Sequence, residues 1–455
     1  MREEKAVETE DIDYSLSRVP AEGKQPFWKI LFIRIGAICC VSQLMLGATL
    51  GMGMSFVDAF LATLFGSVLL QVVSWGLGTA AAREGLSTSL LTRWLGLGKN
   101  GSAIFGGVVA ISMIGWFGVQ NCVFGEGMAA IVPFTDFLGS AEYPVWAVIT
   151  GLGITLLVVV GINAIANFAV VLVPVFIIVV IWSAVIVLGN TGTDISSVFS
   201  MQHPGPALSM GAAITIVAGG FIAGSICTPD YARFLRNGTE VFWMTLIGTF
   251  VGELGMNLTA VILAQAVGSE SVTEIMMATS GIIGVIIVVA STVKLNDINL
   301  YSSSLGLATM INALLNKKVS RNMLVWVLGI VGTTLSVIGI INYFTNFLVL
   351  LGVAIPPIAG IMVVDYYVLK RNRKALEKTR ESGKLPSRVE KWNPVSLACW
   401  VVGFAVGEAS SIMNIGIPGL NSLVLAGVLY FVIMKILASV KKVDNVVFAE
   451  TDQVL

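Results

Sequence analysis

Lys294, Asn296, Asp297 and Asn299 crowd into six positions of one long apolar run, VVASTVKLNDINLYSSSLG (residues 288–306). Asn296 and Asn299 are three apart and share one face of a helix. Their amides can donate and accept at once, toward a ligand edge or toward a neighbouring helix. Lys294 and Asp297 are also three apart and can pair within the helix. A charged side chain deep in hydrocarbon costs ~3 kcal/mol or more, so Lys294 belongs either to a mechanism or to a buried ion pair. A second cluster lies in MIGWFGVQNCVFGEG (residues 113–127), where Trp116 and Gln120 are four apart and nearly on one face. An indole is a flat stacking surface and a primary amide both donates and accepts, which suits the face and edge of a planar polar ring. The bland alternative is a core or lipid-facing Trp with a Gln bonded to another helix. Enzyme chemistry lacks its parts. The only histidine is His203, and no HExxH pair or GxSxG elbow occurs. Cys39, Cys40, Cys122, Cys227 and Cys399 all lie in apolar segments without metal spacing and read as small hydrophobes. No metal site and no cofactor is expected.

What must hold these residues is a membrane bundle. The chain has 455 residues, of which 56% are hydrophobic and 12% charged. A soluble domain carries roughly 25% charged residues. Mean hydropathy is +0.88, and apolar runs of about 20 residues, enough to cross a bilayer as a helix, recur throughout. The expected fold is an all-α integral membrane protein with twelve spans near 28–51, 57–81, 103–131, 145–162, 164–189, 208–233, 241–267, 279–312, 323–341, 344–369, 394–411 and 418–439. Lys and Arg collect after the second, sixth, eighth and tenth spans and at the end of the chain; the loops after the odd-numbered spans have none. By the positive-inside rule both termini are cytoplasmic, in a cytoplasmic (inner) membrane. Arg34, near the start of the first span, is expected to snorkel to that surface. Residues 1–26 are acidic, without a signal-peptide pattern, and read as a disordered cytoplasmic tail. Residues 27–443 form the transporter-like domain, and 444–455 a second cytoplasmic tail.

Two spans are rich in glycine at similar depth: SQLMLGATLGMG (residues 42–53) in the first and VAGGFIAGSICTPDY (217–231) in the sixth. Such a pair points to discontinuous helices at a binding site. Spans 1–5 (about 28–189) and 6–10 (about 208–369) then form two inverted repeats, with the helices of about 394–439 appended. The alternative is that these glycines only allow close packing. Gln43 lies in the first glycine-rich segment and Phe221 in the second, so both are candidate ligand contacts. A channel would need a repeated pore lining or a filter, which one central polar cluster does not supply.

The motifs MIGWFGVQNCVFGEG, GGFIAGSICTPDYARFLRNGTE (219–240), NDINLYSSSLGLA (296–308) and IPPIAGIMVVDYYVLKRNR (355–373), in this order, resemble the nucleobase–cation symporters of the purine/cytosine and hydantoin permease type. The likeness runs from about Trp28 to about Lys442. It implies a twelve-helix transporter with broken helices 1 and 6 that imports a planar nitrogen heterocycle by alternating access. It also implies that Trp116 and Gln120 contact the substrate and that Phe221 sandwiches it. Met113 falls where cytosine permeases carry a glutamine, and Gly220 and Ala223 where they carry serines. Three polar contacts for cytosine are thus replaced, and cytosine becomes a doubtful substrate. An amino-acid or amine carrier on the same fold is the alternative.

Sodium-coupled members place a cation between span 1 and two adjacent hydroxyl residues of span 8. The ungapped likeness puts Lys294 and Leu295 there, and neither can coordinate sodium. The resemblance therefore implies sodium-independent transport in which Lys294 supplies the ion's charge, with proton coupling if it titrates. Asp297, Glu253 in span 7 and Glu126 near the outer end of span 3 are its candidate partners. The expected partners of the whole protein are a small heterocycle, protons and membrane lipid, with no nucleic acid.

Overall fold

Capping side chains mark where the long helices begin. Ser55 Oγ accepts from the Asp58 backbone N–H to start α3 (Phe56–Glu84), and Ser209 Oγ accepts from Ala212 N–H to start α7 (Met210–Ile226). Asn237 does the same for α8 (Gly238–Val267), and Ser271 for α9 (Val272–Leu315). Each satisfies one of the donors left open at a helix start. The computed structural model describes residue 14 and residues 17–134, 139–160, 164–190 and 203–452. Before α3 come α1 (Phe27–Ile38) and α2 (Val41–Gly53). Between α3 and α7 lie α4 (Gly98–Ile131), α5 (Glu142–Val160) and α6 (Ala164–Asn190). After α9 come α10 (Arg321–Val337), α11 (Ile340–Leu369), α12 (Pro394–Ile412) and α13 (Pro418–Lys441).

Among the described residues, ten helices are long and apolar enough to cross a membrane, and the bent pair α1–α2 makes an eleventh. At the place of the expected ninth span, α10 has 17 residues. Apolar side chains cover the outside of the bundle, for example Ile178, Ile181, Trp182 and Val185 on α6.

The two expected breaks fall elsewhere. Span 1 bends by 51° between α1 and α2, at Cys39–Cys40, and α2 then runs unbroken through its glycines. Cys40 is fully extended (φ −149°, ψ 171°). Span 6 is continuous through Gly219, Gly220 and Gly224, and α7 ends only at Ile226. The glycines serve close approach instead. A Cβ on Gly47 would collide with the Asn257 carbonyl of α8, and one on Gly219 with the Leu348 carbonyl of α11. Other interruptions occur at Gly281 of α9 (φ 62°, ψ −156°) and at Ile355 of α11, just before Pro356 and Pro357. Both prolines lack the N–H that an α-helical ladder uses.

The N-terminal segment is not a free tail over its described part. Arg18 is buried where α3 ends: its Nη1 donates to Glu84 Oε2 at 3.1 Å, its Nη2 to Leu376 O at 3.1 Å and its Nε to Lys384 O at 2.8 Å. Glu84 also accepts from Arg380 at 2.6 Å and from the Tyr366 hydroxyl at 2.7 Å. Lys24 Nζ donates to the carbonyls of Ala82, Arg233 and Leu235 at 2.8–2.9 Å. Composition made residues 17–26 look disordered, but their two cations find a carboxylate and a ring of helix-end carbonyls. Residues 1–13, 15 and 16 lie outside the described residues. At the same end of the bundle, β1 (Arg388–Glu390) pairs antiparallel with β2 (Glu450–Asp452). Arg371 locks this region by bonding Asp365, Tyr430 and Glu390.

Candidate functional site

One hydrogen-bonded chain crosses the bundle from α2 through α4 to α9. Gln120 Nε2 donates to Ser42 Oγ at 2.7 Å, two residues past the Cys39–Cys40 elbow. Asn299 Nδ2 donates to Gln120 Oε1 at 3.1 Å and, more weakly, to Asn296 Oδ1 at 3.4 Å. Asn296 Nδ2 donates to the Phe117 carbonyl at 3.3 Å. Helical spacing explains the assembly: Asn296 and Asn299 share a face of α9, which packs extensively on α4. All three amides are buried. Of the candidate contacts read from sequence, the structure brings Gln120, Asn296 and Asn299 into one network.

Trp116 lies one turn from Gln120 on α4 and is 6% exposed. Its ring meets Phe344 at 5.9 Å and Phe347 at 5.4 Å between centroids, both edge to face, a favourable arrangement for aromatic pairs. Phe221 has a different neighbour. The Arg34 guanidinium carbon sits 4.6 Å from the centre of its ring. The aromatic side chains against Trp116 are therefore Phe344 and Phe347 of α11. Sequence reasoning missed them because two phenylalanines three apart in an apolar span look like ordinary core. Met113 is half-buried one turn from Trp116, and Gly220 stands against the Leu46 side chain of α2.

A cavity of about 230 Å³ opens beside this cluster. Met45 and Thr49 of α2, Val123 and Glu126 of α4, and Phe344 of α11 line it. Phe344 thus borders both the cavity and Trp116, while Val123 is one turn from Gln120. Glu126 accepts from Ser271 Oγ at 3.3 Å at this mouth, away from Lys294.

The charges are arranged differently from expectation. Arg34 does not snorkel; it is 0% exposed, donating from Nη1 to the Tyr231 hydroxyl at 2.5 Å and from Nη2 to Ser74 Oγ at 3.3 Å. The expected route to the surface is closed because the α8 backbone at Gly248 lies directly against the Arg34 stem. Lys294 and Asp297 are half-buried and form no ion pair with each other among the described residues. Lys294 is in electrostatic reach of Cys40 at the elbow of span 1, and Asp297 of Arg321. Glu253, 0% exposed, bonds Gln43 and Asn257 and not Lys294. Gln43 therefore belongs to this second cluster, while its neighbour Ser42 turns toward α4. Ser42, Arg34 and Asn257 carried no spacing signal; only the elbow and helix packing assemble them.

Residues 19–433 match the family model described as permease for cytosine/purines, uracil, thiamine, allantoin. The cytosine permease of Escherichia coli (strain K12) is 27% identical over 450 residues, covering 98% of this chain and 100% of the relative. The hydantoin permease of Microbacterium maritypicum is 25% identical over 355 residues, covering 72% and 70% of the two chains. Among solved structures, Mhp1, a nucleobase-cation-symport-1 family transporter, superposes in a closed conformation with bromovinylhydantoin bound. That match has a TM-score of 0.72 at 20% identity over 94% of this chain and 96% of that one. The inward-facing conformation of Mhp1 gives a TM-score of 0.74 at 19% identity, covering 93% and 94%. These superpositions show the fold.

Proposed function

Because the chain belongs to the family of permeases for cytosine and purines, uracil, thiamine and allantoin, we propose that this multi-pass membrane transporter imports a planar nitrogen heterocycle by alternating access. It is a transporter and not an enzyme. The observation that carries the substrate class is the amide chain Ser42–Gln120–Asn299 beside the Trp116 ring. The ring offers a stacking face, and the amides offer donors and acceptors for the edge of a heterocycle. The cavity beside Phe344 is the entry route. Met113 and Gly220 remove polar partners that cytosine would need, so the substrate is a uracil-, purine-, allantoin- or hydantoin-like ring. The bromovinylhydantoin bound to Mhp1 is consistent with that class.

Twelve spans in a five-plus-five arrangement belong to the same reading. The packing of α2 on α8 is matched by that of α7 on α3, and α4 crosses α9. Such swapped pairs are what two interlocked inverted repeats produce. The basic loops put both termini in the cytoplasm, with the protein in the inner membrane. Transport is sodium-independent: where a sodium would need oxygens on span 8, this chain has Lys294 and Leu295. Its ammonium, within reach of the elbow at Cys40, supplies the ion's positive charge between spans 1 and 8.

The test is thermal stabilisation of the purified protein by a panel of heterocycles, each in sodium and in choline buffer. A ligand at about a hundred times its Kd adds about 2.7 kcal/mol to apparent stability. Equal stabilisation in both buffers by one ring class supports the reading. Stabilisation only in sodium overturns the role of Lys294. No response to any heterocycle, with a response to amines or amino acids, overturns the substrate class.

A further inference from the structure

Glu253 is a carboxyl group fully enclosed in the bundle, in a wide turn at Phe250–Met256 where the α8 ladder loosens. Such turns recur at functional positions. Oε1 accepts from Gln43 Nε2 at 3.0 Å and Oε2 accepts from Asn257 Nδ2 at 3.3 Å. No ion pair reaches it among the described residues. The oxygens of the same two amides, Gln43 Oε1 and Asn257 Oδ1, are buried without a partner. Leaving a buried acceptor unsatisfied costs about 1–3 kcal/mol, so two at one point need an explanation.

Protonation supplies it. An ionised carboxylate only accepts hydrogen bonds, while the acid also donates one. The two amide N–H groups suit the ionised form. A half-turn of either amide presents its stranded oxygen to the acid O–H. The acid's single O–H satisfies one stranded oxygen at a time, so Gln43 and Asn257 are alternative acceptors for it while the other amide goes on donating to the carboxyl.

The surroundings connect this centre to both arms of span 1. Arg34 of α1 is the charged group facing Glu253, and the Cys39 thiol faces it from the elbow. From α3 comes the Ser74 hydroxyl, and from the turn after α7 the Tyr231 phenol, both bonded to Arg34. Arg34 Nε has no partner, and the guanidinium lies over Phe221. Arg34 and Gln43 also stand on opposite sides of the Cys39–Cys40 bend. Glu253 thus faces a group on each arm of span 1, Arg34 and Gln43, and Arg34 in turn lies over the Phe221 ring.

We propose that Glu253 binds and releases the transported proton, with Gln43 and Asn257 as switchable partners and Arg34 as the group that senses its charge. One proton adds to a carboxylate oxygen when the site faces outside. It leaves from there to cytoplasmic water when the site faces inside, and no other bond is made or broken. This assignment rests on the transport reading above.

The experiment compares the full-length protein with Glu253→Gln in liposomes loaded with a pH-sensitive dye, given the uracil, hypoxanthine, allantoin and hydantoin panel. Protons moved per substrate should fall from about one toward zero in E253Q. An unchanged ratio in E253Q, or a wild type that moves substrate without protons, overturns the proposal and leaves the transport reading intact. If no heterocycle moves, the transport reading fails, and infrared titration of the ligand-free protein still decides the assignment. A protonated-carboxyl band that titrates in wild type and is missing from E253Q supports it; identical spectra overturn it. Should E253Q fail to fold, Glu253→Asp keeps a carboxyl and must shift that band's midpoint; an unshifted midpoint overturns the proposal.

Discussion

Gln120 and Asn299 hold each other across the crossing of α4 and α9, with Asn299 Nδ2 donating to Gln120 Oε1 at 3.1 Å. Gln120 is then fixed at its other end by Ser42 on α2, just past the bend in span 1. A ligand that bonds this amide is read by three spans at once. Replacing Gln120 with Ala should weaken heterocycle binding by about 1–3 kcal/mol, the cost of an unpaired buried polar group. Asn299→Ala should do the same, and the double variant should lose less than the sum, because contacting residues couple by about 0.5–3 kcal/mol. Competition binding on the four proteins measures this. Strict additivity would separate the two residues and remove the shared-site reading.

Trp116→Ala and Phe344→Ala both take surface from the ring cluster that borders the cavity. Stacking of a base on an aromatic side chain is worth about 1–3 kcal/mol by alanine substitution. Affinity should fall by that amount for Trp116→Ala and by less for Phe344→Ala, which supports the ring without being expected to stack. If isothermal titration gives wild-type affinity for Trp116→Ala, the stacking assignment is lost.

How far the sequence leads can be judged from these residues. That Asn296 and Asn299 face α4 together, and that Gln120 lies one turn from Trp116, was legible because helical spacing fixes which side chains share a face. Arg34 was misplaced because position along a span suggests an exit, whereas packing against Gly248 and the Tyr231 hydroxyl closes it. The elbow at Cys39–Cys40 was also out of reach. Glycines at residues 47–53 signal either a break or a close approach, and composition does not distinguish the two. Phe344 joins Trp116 only through the fold of α11 on α4. Residues 17–26 were read as tail because charge and polarity describe a solvated segment equally well.

Gly47 and Gly219 test the close-approach account directly. Each lies where an added Cβ would meet a carbonyl oxygen on a neighbouring helix, Asn257 for the first and Leu348 for the second. Backbone cannot yield as a side-chain tip can, so overpacking here should cost about 1–3 kcal/mol. Gly47→Ala and Gly219→Ala should both lower the unfolding temperature of the purified protein. Gly106→Ala is the control, because nothing lies within 4 Å of its added Cβ. A Gly219→Ala protein as stable as the control would show that α7 and α11 are less tightly apposed.

Arg18 gives the last prediction, because it fastens residues 17–26 across three elements at one end of the bundle. Its side chain is 3% exposed and its partner Glu84 is 0% exposed. Breaking such a buried pair by removing one member is expensive, about 3–5 kcal/mol, since the remaining charge stays buried. Glu84 keeps Arg380 and Tyr366, so Arg18→Ala should sit at the low end of that range. The loss should be local: Lys24, held by three carbonyls beside the same helix ends, becomes free to leave. Trypsin should then cut after Lys24 faster in Arg18→Ala than in wild type, with Arg18→Lys between them because an ammonium cannot reproduce the forked contacts. Equal digestion rates in all three proteins would mean that the strap is held by its backbone contacts at Gly85 and Phe234, and not by the arginine.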